Sequence, residues 1–230
     1  MAVAGYPVKV RARLDEPLSR WLWLVKWLLA IPHFVVLGFL WIAFWLLTIA
    51  AFFAILFTGR YPRSIFGFNV GVLRWTWRVA DYCWGVLGTD RYPPFTLHDV
   101  PDYPAHLDVE YPERLSHGLV LVKWLLAIPH LIVVGILAGG GWWVGWNAHN
   151  AGAGAWGGLI GIFVLVAAVV LLFTGRYPRQ LFDLILGLNR WVLRVVAYVS
   201  LMTDVYPPFR LDMGSGDAGR PELPPPPMPG

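Results

Sequence analysis

Two identical nonapeptides carry the ionisable groups best spaced for chemistry: Val25–His33 and Val122–His130 both read VKWLLAIPH. In each, a lysine, an alanine and a histidine follow one another at intervals of four and three (Lys26, Ala30, His33; Lys123, Ala127, His130), which is one face of a helix. Ionisable groups inside an apolar segment are functional candidates, here for a proton relay or solute transport. One histidine per copy could also ligate a haem from both sides, so haem through His33 and His130 is the alternative to an expectation of no cofactor. The structural reading is simpler. Pro32 and Pro129 each remove an amide hydrogen, and a neighbouring imidazole helps satisfy the polar groups that such a kink frees.

A second set of cations also recurs. Arg60 and Arg63 lie in TGRYPR, repeated with Arg176 and Arg179, and Arg74 and Arg78 recur as Arg190 and Arg194. Gly67, Gly71, Arg74, Arg78, Asp81 and Gly85 trace one helical face. Two arginines make a full crossing by that helix costly, about 2.5–3.5 kcal/mol each near the bilayer centre. The expectation is an interfacial helix in each copy, the four helix arginines and the four of TGRYPR contacting lipid phosphate or a partner. The alternative is intrahelical pairing, Arg74 with Asp81 and Asp183 with Arg190. Hydrolytic chemistry finds no G-x-S-x-G, HExxH or P-loop, and Ser19 and Ser116 read as helix N-caps, so no catalytic residue, enzyme activity or metal is expected. Cys83, the single cysteine, reads as exposed and has Val199 as its counterpart.

These residues sit in a chain of 230 that is 57% hydrophobic and 14% charged, with a mean hydropathy of +0.58. Soluble domains are nearer a quarter charged, so lipid is the expected surroundings, and the net charge of +4 is too modest and too dispersed for nucleic acid. Two apolar runs, 21–57 and 118–173, each exceed the roughly 20 residues of one crossing, and the first is far too long for a signal-peptide core. The second copy has gained 19 residues between its two shared motifs, in the Gly/Trp-rich stretch 139–157. Insertions fall outside packed elements, so a turn is expected there and near 38–41 of copy one.

The expected fold is thus a mainly α membrane protein of two tandem repeats, each a short strand, a transmembrane helical hairpin, an amphipathic interfacial helix and a short strand. Repeat one spans 1–97, with hairpin 20–57 (20–38 against 41–57) and amphipathic helix 64–88. Repeat two spans 98–211, with hairpin 117–173 and helix 180–202, and a Pro-rich, disordered tail occupies 212–230. Period-two alternation marks strands at 8–14 and 105–111 and, more weakly, at 95–97 and 209–211, enough for one four-stranded sheet. The arginines on the N-terminal arm and in both TGRYPR loops put four spans in the bacterial inner membrane with both termini cytoplasmic; six spans is the alternative.

VKWLLAIPH, TGRYPR and the TD-x-YPPF that closes each copy together resemble a bacterial, actinobacterial-type membrane domain family of unknown function. The resemblance covers about 6–97 and 103–211 and implies an inner-membrane protein, with no activity to carry over. The expected function is a non-catalytic accessory or scaffold subunit of a larger membrane complex, its partners membrane lipids and other membrane-protein subunits. The alternative is a lipid-handling or small-solute transport protein with its site at the repeat interface.

Overall fold

In the computed structural model, which describes residues 6–138 and 158–212, the chain is mainly helical. Strand β1 (Val8–Ala12) leads to α1 (Trp23–Leu29), α2 (Ile31–Thr58) and α3 (Arg63–Tyr82). Strand β2 (Ala105–Val109) then leads to α4 (His117–Leu126), α5 (Ile128–Ala138), α6 (Gly158–Thr174) and α7 (Arg179–Val199). Among the described residues α2 alone is long and apolar enough to cross a membrane unaided. Helices α4 and α5 pass the same test jointly but are bent by 47° at the break between Leu126 and Ile128.

The hairpin expected over 20–57 does not form. Helix α2 runs for 28 residues straight through 38–41. Gly38 is the single glycine within it, and about 1 kcal/mol of lost propensity cannot break a helix of Leu, Ile, Phe and Trp on either side. In copy two the insert interrupts the same element. Helix α5 ends and α6 begins at the counterparts of Trp41 and Ile42, and their eleven and seventeen residues together match the length of α2. Their buried faces agree as well: Ile160, Val164, Ala167 and Leu171 stand where Phe44, Thr48, Ala51 and Ile55 do in α2. The described helices on either side of the surplus chain thus continue one another's packed face. The insert 139–157, with Trp142, Trp143, Trp146 and Trp156, and the tail from 213 lie outside the described residues.

The amphipathic helices are central to the fold. Helix α3 packs on α2 and on β2, and α7 packs on α5, α6 and β1, so each strand lies on the other copy's helix. Strands β1 and β2 pair antiparallel through Val8↔Val109, Val10↔Leu107 and Ala12↔Ala105, with Val8, Val10, Leu107 and Val109 buried and Arg11, Asp108 and Glu110 exposed. Residues 95–97 and 209–211 join no strand, and the sheet of the described residues has two strands, not four. Their polar backbone is taken instead by arginine side chains, as shown below.

Candidate functional site

The break at Ala30 leaves helix-end carbonyls and a lysine pointing into the fold, and the TD-x-YPPF segment answers both. Lys26 is 1% exposed; its Nζ donates to the Thr89 carbonyl at 2.6 Å and pairs with Asp90 Oδ1 at 2.8 Å. The other carboxylate oxygen accepts the Ser19 amide at 2.6 Å, and the ammonium lies 5.0 Å from the Tyr82 ring centre. Copy two repeats every contact: Lys123 to the Thr203 carbonyl and Asp204, Asp204 to the Ser116 amide, and Lys123 against Tyr198. Ser116 does cap α4 through its side chain, whereas the N-cap of α1 is Leu22, not Ser19, and makes no side-chain cap bond. A buried ammonium is tolerated only with a carboxylate and further hydrogen bonds, and both are present here.

The YPPF aromatics enclose the histidine. His33 is fully buried, stacked on Phe95 at 3.9 Å between ring centres and beside Tyr92 at 4.9 Å. Trp75 Nε1 donates to its Nδ1 at 3.0 Å, and the Tyr92 hydroxyl donates to the Leu29 carbonyl exposed by the break. His130 stacks on Phe209 at 4.1 Å beside Tyr206, whose hydroxyl reaches the Leu126 carbonyl, but Trp191 makes no such bond to it. Each imidazole thus packs within its own repeat. With its ring face stacked and Nδ1 occupied, His33 does not fit an axial haem ligand shared with His130. Among the described residues no group of three His, Cys, Asp or Glu is placed to hold a metal ion.

The helix arginines turn inward, which corrects their assignment to lipid phosphate. Arg78, 2% exposed, donates to the His98 carbonyl at 2.9 Å and to the Thr96 carbonyl, and Arg194, fully buried, to the Arg210 and Asp212 carbonyls at 3.1 and 2.7 Å. Two helical turns earlier on the same face, Gly71 lets Leu97 approach so closely that a Cβ there would lie 2.7 Å from Leu97 Cβ; Gly187 does the same for Leu211 at 2.9 Å. Glycine and arginine together therefore clamp the segment after each YPPF onto its helix. Arg74 donates to the Leu107 carbonyl and pairs with Asp108 at 2.8 Å, not with Asp81, and Arg190 donates to the Val10 and Leu211 carbonyls. Arg60, Arg63, Arg176 and Arg179 remain exposed at the ends of α2 and α6.

The sequence profile of a domain of unknown function, DUF4389, matches residues 20–96 and 153–210, more than half of the chain. The chain belongs to the DUF4389 family. In this DUF4389 protein the first matched segment holds the whole Lys26–Asp90 and His33–Phe95 constellation, while the second begins after Lys123 and His130 and holds only their partners Asp204, Tyr206 and Phe209. No curated protein and no solved structure matches the chain.

One acid, expected from the sequence only as a pairing partner of Arg74, stands apart. Asp81 on α3 is fully buried, and neither carboxylate oxygen has a hydrogen-bond partner among the described residues. Burial pushes its pKa up to about 8, against a partial opposing pull from the Lys26 ammonium. Its counterpart is Ala197, the one available signal that this acid belongs to no repeated pairing. Cys83, read as exposed, is buried, and the loss of hydration raises its thiol pKa.

Proposed function

We propose that this chain is a non-catalytic, membrane-bound accessory or scaffold subunit of a larger bacterial inner-membrane complex, a tandem form of an actinobacterial-type domain, with its sheet side toward the cytoplasm. One observation carries the reading. The repeated polar residues are engaged in holding the fold together, whereas the outward surface is apolar: Phe39, Ile42, Leu46, Phe53 and Phe57 on α2 and Ile132, Ile136, Ile162 and Phe173 in copy two are all exposed. An apolar face of that extent suits lipid and membrane-protein contact. Native purification in mild detergent, with mass spectrometry of what co-migrates, tests it. A stoichiometric larger complex is expected, lost when 139–157 is deleted and kept in His33→Ala with His130→Ala. A lone protein overturns it.

The lipid-handling alternative draws on a shallow apolar groove between α1 and α6, lined by Trp23, Trp27, Trp84, Val164 and Leu165 beside Lys26. Lipid retained by the purified protein, and released by Val164→Trp, would favour it.

A further inference from the structure

The ladder between the strands is centred on residues that are each other's counterparts. Val10 faces Leu107, 97 positions later, as the nonapeptides are 97 apart, and Val8↔Val109 and Ala12↔Ala105 flank it evenly. An antiparallel ladder so centred has a local two-fold axis through that pair, perpendicular to the sheet. The cross-copy bonds come in matching pairs about it: Arg74 to the Leu107 carbonyl and Arg190 to that of Val10, Tyr61 to the Ser200 carbonyl and Tyr177 to that of Val86.

A rotation about an axis leaves height along it unchanged, so counterparts lie at one height. The end of α2 touches the start of the second apolar run: the Leu115 amide donates to the Gly59 carbonyl at 2.9 Å, and His117 Nδ1 lies 2.7 Å from the Leu56 carbonyl. The end of α6 likewise meets the start of the first, a Cβ on Gly175 falling 2.5 Å from Arg20 Nη2. Each apolar run therefore begins and ends at the same height. With 1.5 Å per residue, α2 is about 42 Å long and the ten residues before it about 15 Å. A bend like the 47° of copy two then lifts the break at Ala30 about 9 Å above the ends of the run. The hydrocarbon core of a bilayer is about 30 Å thick.

The axis also fixes the orientation. Laid in the membrane plane, it would place the exposed Arg11, Arg13, Asp108 and Glu110 of the sheet at mid-bilayer, against about 2.5–3.5 kcal/mol for each cation. Along the membrane normal, it turns the sheet to water and the Phe39–Phe57 faces to lipid.

We infer that the chain is monotopic: it sits in the cytoplasmic leaflet alone, both apolar runs dipping into the acyl region and leaving on the side they entered. Arg60 and Arg176, and Arg63 and Arg179, exposed and paired in height by the axis, lie at the phosphates of anionic lipid. This rests on the membrane part of the proposed function and replaces the four-span topology expected from the sequence.

Single cysteines at Ser19, Ser64 and Phe39, in a Cys83→Val background that copies Val199, test it with a membrane-impermeant thiol reagent on right-side-out and inverted membranes. Ser19→Cys and Ser64→Cys are expected to label on inverted membranes only, and Phe39→Cys on neither. Labelling of Phe39→Cys, or of either serine site, on right-side-out membranes overturns the single-leaflet seat while leaving the membrane reading intact. Recovery of the unlabelled chain in the soluble fraction, without detergent, overturns both.

Discussion

Asp81 offers a direct measurement of how tightly α3 is enclosed. Its carboxyl is fully buried, and both oxygens lie without a hydrogen-bond partner among the described residues, beside Gly88, where a Cβ would fall 2.6 Å from Oδ1. An acid whose folded pKa is raised, from 3.8 to about 8, keeps its proton in the folded chain and releases it in the unfolded one. Below the lower value both states are protonated and nothing is lost. Between the two, each pH unit removes about 1.4 kcal/mol of stability, and above the upper one the loss stops growing. From pH 5 to pH 8 the wild type should therefore lose a few kcal/mol that Asp81→Asn and Asp81→Ala retain. Thermal unfolding in detergent, followed by the fluorescence of the 14 tryptophans, reads the difference. Both variants should melt well above wild type at pH 8 and converge on it near pH 4.5. Parallel melting curves across that range would show that water or a cation reaches the carboxylate, and would refute the enclosure.

Removing one member of the buried pair should be severe: Lys26→Met leaves Asp90 uncompensated and should cost about 3–5 kcal/mol in chemical unfolding, while Lys26→Met with Asp90→Asn recovers much of it. Gly71→Leu and Gly187→Leu should each break the clamp on the following segment, seen as protease cleavage near 97 or 211, whereas Gly38→Ala, with nothing within 4 Å of its Cβ position, should be neutral or slightly stabilising. Deletion of 139–157 joins Ala138 to Gly158 in the register of α2, so folding and melting temperature should survive it, as circular dichroism would show. Trp75→Phe should cost about 1 kcal/mol through the lost bond to His33, and Trp191→Phe, which breaks none, should cost less.

Local patterns carried the element positions well. Alternation located β1 and β2 to within two residues, and helical spacing located α3 and α7, because both are short-range consequences of period. What escaped was the direction in which those faces point. An amphipathic helix reads alike whether its polar stripe meets headgroups or a partner segment, and only the fold shows that Thr96, His98, Arg210 and Asp212 offer carbonyls to Arg78 and Arg194. The extra glycines of 139–157 misled for a related reason: the position of an insertion records where a chain tolerates interruption, and the packed face of α2 continues on both sides of it. The Lys26–Asp90 pair, 64 residues apart in sequence, was legible in retrospect as two motifs that always recur together.

The ladder centred on Val10 and Leu107 has the geometry of a homodimer joined into one polypeptide. Two identical subunits must accept every substitution twice, at both places at once. Covalent fusion lifts that constraint, and this chain has used the freedom: Asp81 stands opposite Ala197, Trp75 holds a histidine that Trp191 leaves alone, and nineteen residues occur in one half only. A partner approaching along the axis therefore meets unlike halves. It can dock in one sense but not the other, where a true homodimer would offer two equivalent orientations.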